Sequence, residues 1–108
     1  MPRRGEVWWA RLGPTLGSEI GKTKLCLILS SNVVNERRRT VVVVLLSTSP
    51  QPSPPLLVPV MCTGRQVVAV TDQLRAIAKE RLQERLGEIS LEDLEAVENG
   101  VRRILELG

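Results

Sequence analysis

The alternation of apolar and polar positions changes rhythm along this chain, and each change predicts an element. From Gly5 to Leu12 the pattern is a strand, with Val7, Trp9 and Arg11 on one face and Trp8, Ala10 and Leu12 on the other. Gly13-Pro14 ends it and opens a long loop over 13–23. A second strand is expected over 24–30, built on the unbroken run Leu25-Cys26-Leu27-Ile28-Leu29, which is the length of a buried strand and too short for a membrane span. The polar stretch 32–39 has room for one helical turn. Positions 40–47, Thr-Val-Val-Val-Val-Leu-Leu-Ser, then read as a strand covered on both faces or strongly curved.

Five of the seven prolines fall within residues 50–59, which predicts a stiff, extended loop over 47–55 with no packed structure of its own. Short strands are expected over 56–60 and 66–70, joined by the turn Cys62-Thr63-Gly64-Arg65, and a last one over 72–77. The stretch 79–86 suits a short helix ended by Gly87. The terminal helix is the most clearly marked element. Ser90 is its N-cap, Asp93 stands at the capping-box position, and Ile89 faces Leu94 as a hydrophobic staple. Leu91, Leu94, Val97, Val101, Ile104 and Leu105 form its apolar stripe. With no internal repeat, residues 1–108 read as one domain: a small, mainly β curved sheet or barrel with a C-terminal helix packed on it.

Composition narrows the chemistry. The net charge is +3 and the cations are mostly arginine, whose planar fork matches phosphate oxygens, so anionic partners are favoured. The chain has no His, Tyr or Phe. Acid–base work must therefore run on Glu, Asp, Lys, Arg or a hydroxyl, and Ser-His-Asp or paired-His mechanisms are excluded. Asp72 and Asp93 are the only aspartates and lie far apart in sequence, and Cys26 and Cys62 without His make a poor zinc site. No metal or other cofactor is expected. The opening MPRRGEVWWARLG has no apolar stretch of signal-peptide length and nothing later could span a bilayer, so a cytoplasmic protein with reduced cysteines and no membrane partner is expected.

One position asks for an explanation. Lys24 stands where the loop turns into the buried second strand, held rigidly yet within reach of solvent or a ligand. In GSEIGKTKLCLILSSN a snorkelling lysine would be the ordinary reading. However, the segment RGEVWWARLGPTLGSEIGKTKLCLIL resembles the opening of the MazF/PemK family of toxin endoribonucleases. That family typically shows RG-[DE]-[IV]-[WY], a Gly-[Ser/His]-Glu loop, and an Arg-Pro pair before an apolar strand. The resemblance continues in register through Ser31-Asn32-Val33-Val34-Asn35, the valine-rich strand 40–47, Asp72-Gln73-Leu74-Arg75-Ala76-Ile77, and Arg102-Arg103-Ile104-Leu105-Glu106-Leu107.

This resemblance implies an SH3-like barrel acting as a homodimer. It also implies metal-free cleavage of single-stranded RNA and neutralisation by a cognate antitoxin with an acidic disordered tail, with DNA reached only through that antitoxin. The family's loop glutamate falls on Glu19 and its catalytic arginine on Lys24, with Leu25 in place of the proline. The hydroxyl that ends the third strand falls on Ser47, with Thr48 as the register alternative, and the Gln-x-Arg element falls on Gln73 and Arg75. Lys24, Ser47 and Glu19 are thus the expected catalytic residues. Lys22, Thr48, Arg37, Arg38, Gln73 and Arg75, with Arg39 beside them, are the expected RNA contacts. As dull competitors, Glu19 and the 37–39 run would be solvated charges, Ser47 and Thr48 turn formers, and at least one tryptophan a core residue. Two rival functions stand beside cleavage. One is a catalytically weakened or inactive RNA- or protein-binding barrel; the other is a gyrase-poisoning toxin, which the ending Leu105-Glu106-Leu107-Gly108 disfavours.

Overall fold

The computed structural model describes residues 1–12 and 22–108. Its strands are β1 (Glu6–Arg11), β2 (Thr23–Ile28), β3 (Thr40–Ser47), β4 (Leu57–Cys62), β5 (Arg65–Ala78) and β6 (Leu82–Glu88), with helices α1 (Asn32–Arg37) and α2 (Leu91–Ile104). The strands form one antiparallel sheet in the order β4-β5-β3-β2-β1-β6. The sheet curls until its two edges approach: a Cβ added at Gly87 in β6 would lie 3.2 Å from Thr63 and 3.4 Å from Cys62 at the end of β4. Gly87 thus serves a close approach and not the helix cap the sequence suggested.

Pleating sorts the apolar residues into two clusters on opposite faces. One face gathers Val7, Leu27, Val44, Leu46, Val58, Val60, Val67 and Ala69 under the α2 residues Leu94, Val97 and Val101. The other gathers Ala10, Cys26, Ile28, Val41, Val43 and Ile77, with Trp8, Leu12, Leu45 and Leu82 against them. The valine-rich β3 feeds both, which is why its apolar run is unbroken. Both tryptophans are half-buried, one on each face. Cys26 and Cys62 are free thiols buried as small apolar groups, and burial pushes the Cys26 thiol up to about 12.

Three expectations about the strands and loops change. Residues 79–86 do not form a helix: Lys79–Arg81 make a 3-10 turn and Leu82–Glu88 pair with β1. Local propensity there favours a helix, but without β6 the edge of β1 would be bare, and pairing overrides propensity. Arg85 of β6 seals this pairing by donating to Glu6 Oε2 at 2.7 Å. Burial pushes the Glu6 carboxyl up, but the hydrogen bonds from Arg85, the Arg3 amide and the Trp8 indole outweigh it and hold the carboxyl below its usual range.

The second change is that the strands expected over 66–70 and 72–77 are one continuous strand, β5. Its register against β3 shifts between Val44 and Leu45, where Thr71, Asp72 and Gln73 are accommodated as a bulge. Third, the proline-rich loop is packed. Ser53 and Leu57 exchange backbone hydrogen bonds (2.8 and 3.0 Å), and the fully buried Thr71 shares its one hydroxyl proton between the carbonyls of Pro55 (3.1 Å) and Leu56 (2.9 Å).

α2 keeps its predicted cap: Ser90 Oγ accepts from Asp93 N at 3.1 Å, and Ile89 and Leu94 are both buried. Its stripe is narrower than expected. Leu91 is 82% exposed and Leu105 50%, while Gly100 joins the buried side. The Asp93 carboxylate accepts from Met61 N at 2.9 Å, so the capping-box residue ties the helix to strand β4. On that outer edge, Leu57 N is engaged by Ser53, Pro59 has no N–H, and Met61 N is engaged by Asp93.

Candidate active site

Strand geometry brings Lys24 and Ser47 to the same end of the sheet. β2 and β3 pair through Cys26–Leu45, Leu27–Val44 and Ile28–Val43. Continuing this register by two residues sets Lys24 against Ser47, on the face that carries Cys26 and Leu45 and just past the last paired rung. Lys24 is exposed and Ser47 half-buried. The Ser47 hydroxyl accepts from Ser49 N at 3.3 Å, which leaves its proton free to donate to an incoming anion. Lys22 is exposed beside them; its carbonyl accepts from Leu12 N at 2.9 Å, fixing the entry into β2. Glu19 lies outside the described residues.

Arg75 is exposed and pairs across from Val43, four residues before Ser47 along β3 and so about 13 Å from it. Gln73 is exposed within the bulge of β5. Thr48 is exposed but belongs to the other face, where it lines a cavity with Trp9, Leu25 and Arg65. The arginine run is not brought to this end. Arg37 closes α1, and Arg38 and Arg39 precede β3, whose far end at Ser47 is eight residues and about 26 Å beyond Arg39. They are exposed, and Arg38 and Arg39 line a depression with Thr40, Ala78, Lys79 and the exposed carboxylate of Glu80, three cations to one anion. Lys79 is a cation that sequence reading left inside an expected helix; only the turn after β5 carries it to the arginines, through Lys79 N donating to Arg39 O at 2.8 Å.

The candidate residues therefore fall into two mainly cationic regions along one sheet face: Lys22, Lys24 and Ser47 at one end, Arg75 midway, and Arg38, Arg39 and Lys79 at the other. Among the described residues, no three His, Cys, Asp or Glu side chains gather as metal ligands, and no helix is long and apolar enough to cross a membrane.

Comparison with known proteins gives this arrangement a family. Endoribonuclease MazF9 of Mycobacterium tuberculosis is 30% identical over 116 residues, which span 99% of this chain and 98% of the relative. An endoribonuclease from Mycobacterial species, solved in complex with its cognate antitoxin, has a TM-score of 0.83 at 25% identity and covers 100% of this chain and 98% of its own. MazF of Deinococcus radiodurans has the same fold, with a TM-score of 0.79, 24% identity and coverage of 98% and 97%. The model of the PemK-like, MazF-like toxins matches residues 3–105. The chain thus belongs to the PemK-like, MazF-like toxin family of type II toxin–antitoxin systems.

Proposed function

We propose that this toxin cuts single-stranded RNA at the sheet end where Lys24 and Ser47 face each other, using the substrate's own 2′-hydroxyl as nucleophile. Endoribonuclease activity accords with its relatives. The observation that carries the mechanism is the register that aligns an exposed cation with a hydroxyl that, among the described residues, accepts one hydrogen bond and donates none.

RNA needs little covalent help, so the protein's part is alignment and charge stabilisation. Lys24 attracts the scissile phosphate and stabilises the charge that grows on the phosphorane. Ser47 donates to a non-bridging oxygen. The 2′-oxygen bonds to phosphorus as its proton leaves to a base, with Glu19 as the candidate. The bond from phosphorus to the 5′-oxygen breaks, and that oxygen takes up a proton, with Lys24 the candidate donor. The products are a 2′,3′-cyclic phosphate and a 5′-hydroxyl. No step calls on a metal, in keeping with a chain that has no His.

Cleavage of a single-stranded RNA by the wild-type protein should therefore persist in EDTA and stop when ribose is replaced by deoxyribose. Loss of activity in EDTA would overturn the metal-free mechanism, and a protein that never cuts would be a binding module. The distal arginines extend the path: Arg38, Arg39 and Lys79 hold phosphates beyond the cut, with Arg75 between. Arg38→Ala should reduce the salt dependence of RNA binding by about 0.7 in the log–log slope, the contribution of one phosphate on a single strand. An unchanged slope would make the run a solvated surface.

The toxin acts in the cytoplasm, where a cognate antitoxin with an acidic disordered tail neutralises it by covering the cationic face. It works as a homodimer; light scattering that returned only the 12.0 kDa monomer at micromolar concentration would refute this.

A further inference from the structure

We propose that the mouth of the barrel beside Trp9 is a base-binding subsite, which takes one nucleobase of the strand whose phosphate lies at Lys24 and Ser47. The inference rests on that placement of the phosphate and adds the recognition element beside it. A cavity of about 190 Å3 opens there, lined by Trp9, Leu25, Thr48, Thr63, Arg65 and Leu86 among others. At roughly 30 Å3 per water it has room for about six waters, the bulk of one heterocyclic ring. Leu25 and Thr48 are the chain neighbours of Lys24 and Ser47, and the pleat turns them to the opposite face. The cavity and the phosphate site are therefore two sides of the same sheet end. An RNA strand draped over that end sets a phosphate on one side and an adjacent base on the other.

The lining suits a base. Trp9 is half-buried and supplies an aromatic surface, and exposed Arg65 supplies a guanidinium that stacks on bases and attracts the backbone. The Thr63 hydroxyl gives its proton to Cys62 O at 2.7 Å and keeps its lone pairs for a base amino group. The backbone is an independent sign. Thr63 has φ +51 and Gly64 φ +78, a two-residue hairpin turn that ordinarily takes Asn-Gly. A β-branched residue in this left-handed region is strained. Here the strained side chain is the one that walls the cavity against Gly87. An apolar side chain of a protein partner would be the rival occupant, but an aromatic face beside an exposed guanidinium, both of which stack on bases, favours RNA.

The test is cleavage of RNA oligonucleotides in which the base at each position around the cut is replaced in turn by an abasic ribose, with wild type, Trp9→Leu and Arg65→Ala. Wild type should lose about tenfold at one position next to the cut, the usual effect of losing one base–aromatic stack. Each variant should be slower on intact RNA yet indifferent to that single replacement. Arg65 is exposed, so its variant keeps the fold even if Trp9→Leu does not. If both variants lose as much as wild type at every abasic position, the cavity holds no base and the proposal is overturned. Should the wild type cut none of these strands, the cleavage reading fails on its own. The same comparison, made on affinity for an uncleavable 2′-deoxy strand, then decides the subsite.

Discussion

Lys24→Ala should lower the rate of RNA cleavage by about 10²–10³-fold, the loss expected when one preorganised electrostatic donor worth about 2.7–4 kcal/mol is removed from a reacting centre. The melting temperature should barely move, because the Lys24 side chain is exposed at a strand end and supports neither cluster. Lys24→Arg should hold or raise the rate: it places a two-pronged donor at the same point of β2 and keeps the charge. Ser47→Ala should cost less, since a neutral hydrogen bond is weaker than a charged one. A Lys24→Ala protein that cuts as fast as wild type would move the catalytic cation elsewhere, with Lys22 the next candidate on the same rim. Initial rates on one RNA, paired with a thermal melt of each variant, separate chemistry from folding.

The largest effect on stability is expected far from the chemistry. Gly100 lies where α2 touches the sheet most closely, and a Cβ there would sit 2.6 Å from the Pro55 carbonyl oxygen, 3.0 Å from Thr71 and 3.2 Å from Val58. The first of these is backbone, and Thr71 is pinned by its own hydrogen bonds, so neither can step aside. Gly100→Ala gains helix propensity of about 1 kcal/mol yet must lift the helix off β4 and β5. A net loss of about 2 kcal/mol should follow, lowering the melting temperature by about 10 °C. An unchanged melt would mean that α2 is free to shift outward. RNA cleavage by the surviving folded fraction should stay near wild type, because Lys24 and Ser47 lie on the face that α2 does not cover.

What the sequence disclosed was what is locally encoded. The strands at 5–12, 24–30 and 40–47, the turn at α1 and the capped α2 each carry their own periodicity or cap, and each is found within a residue or two. β6 was hidden because Leu82-Gln83-Glu84-Arg85-Leu86 is built of helix formers, and only the bare edge of β1, seventy-odd residues earlier, makes it a strand. The continuity of β5 was hidden for a related reason: Thr71-Asp72-Gln73 reads as a break, and the buried hydroxyl that makes it a bulge is bonded to a loop fifteen residues away.

The candidate site divides along the same line. Lys24 and Ser47 could be named by resemblance, and their juxtaposition follows from two strands whose pattern was legible. Chain order already sets Arg37–Arg39 at the start of the strand that ends in Ser47, but it could not bring Lys79 to them. Trp9 could be read equally as core or as surface. Its position at the barrel mouth depends on β4, β5 and β6 arriving together.

The outer border of β4 has a consequence for company. A sheet margin with free amides invites an extended chain to dock as a further strand, which is how many peptides are captured and how aggregates are seeded. Here the margin is closed three ways, by the Ser53 carbonyl, by a proline and by the Asp93 carboxylate. A partner reaching this side finds no backbone donor free at 57, 59 or 61 and cannot pair as a regular further strand. Copies of the toxin crowded together are likewise denied a template for stacking into fibres through β4.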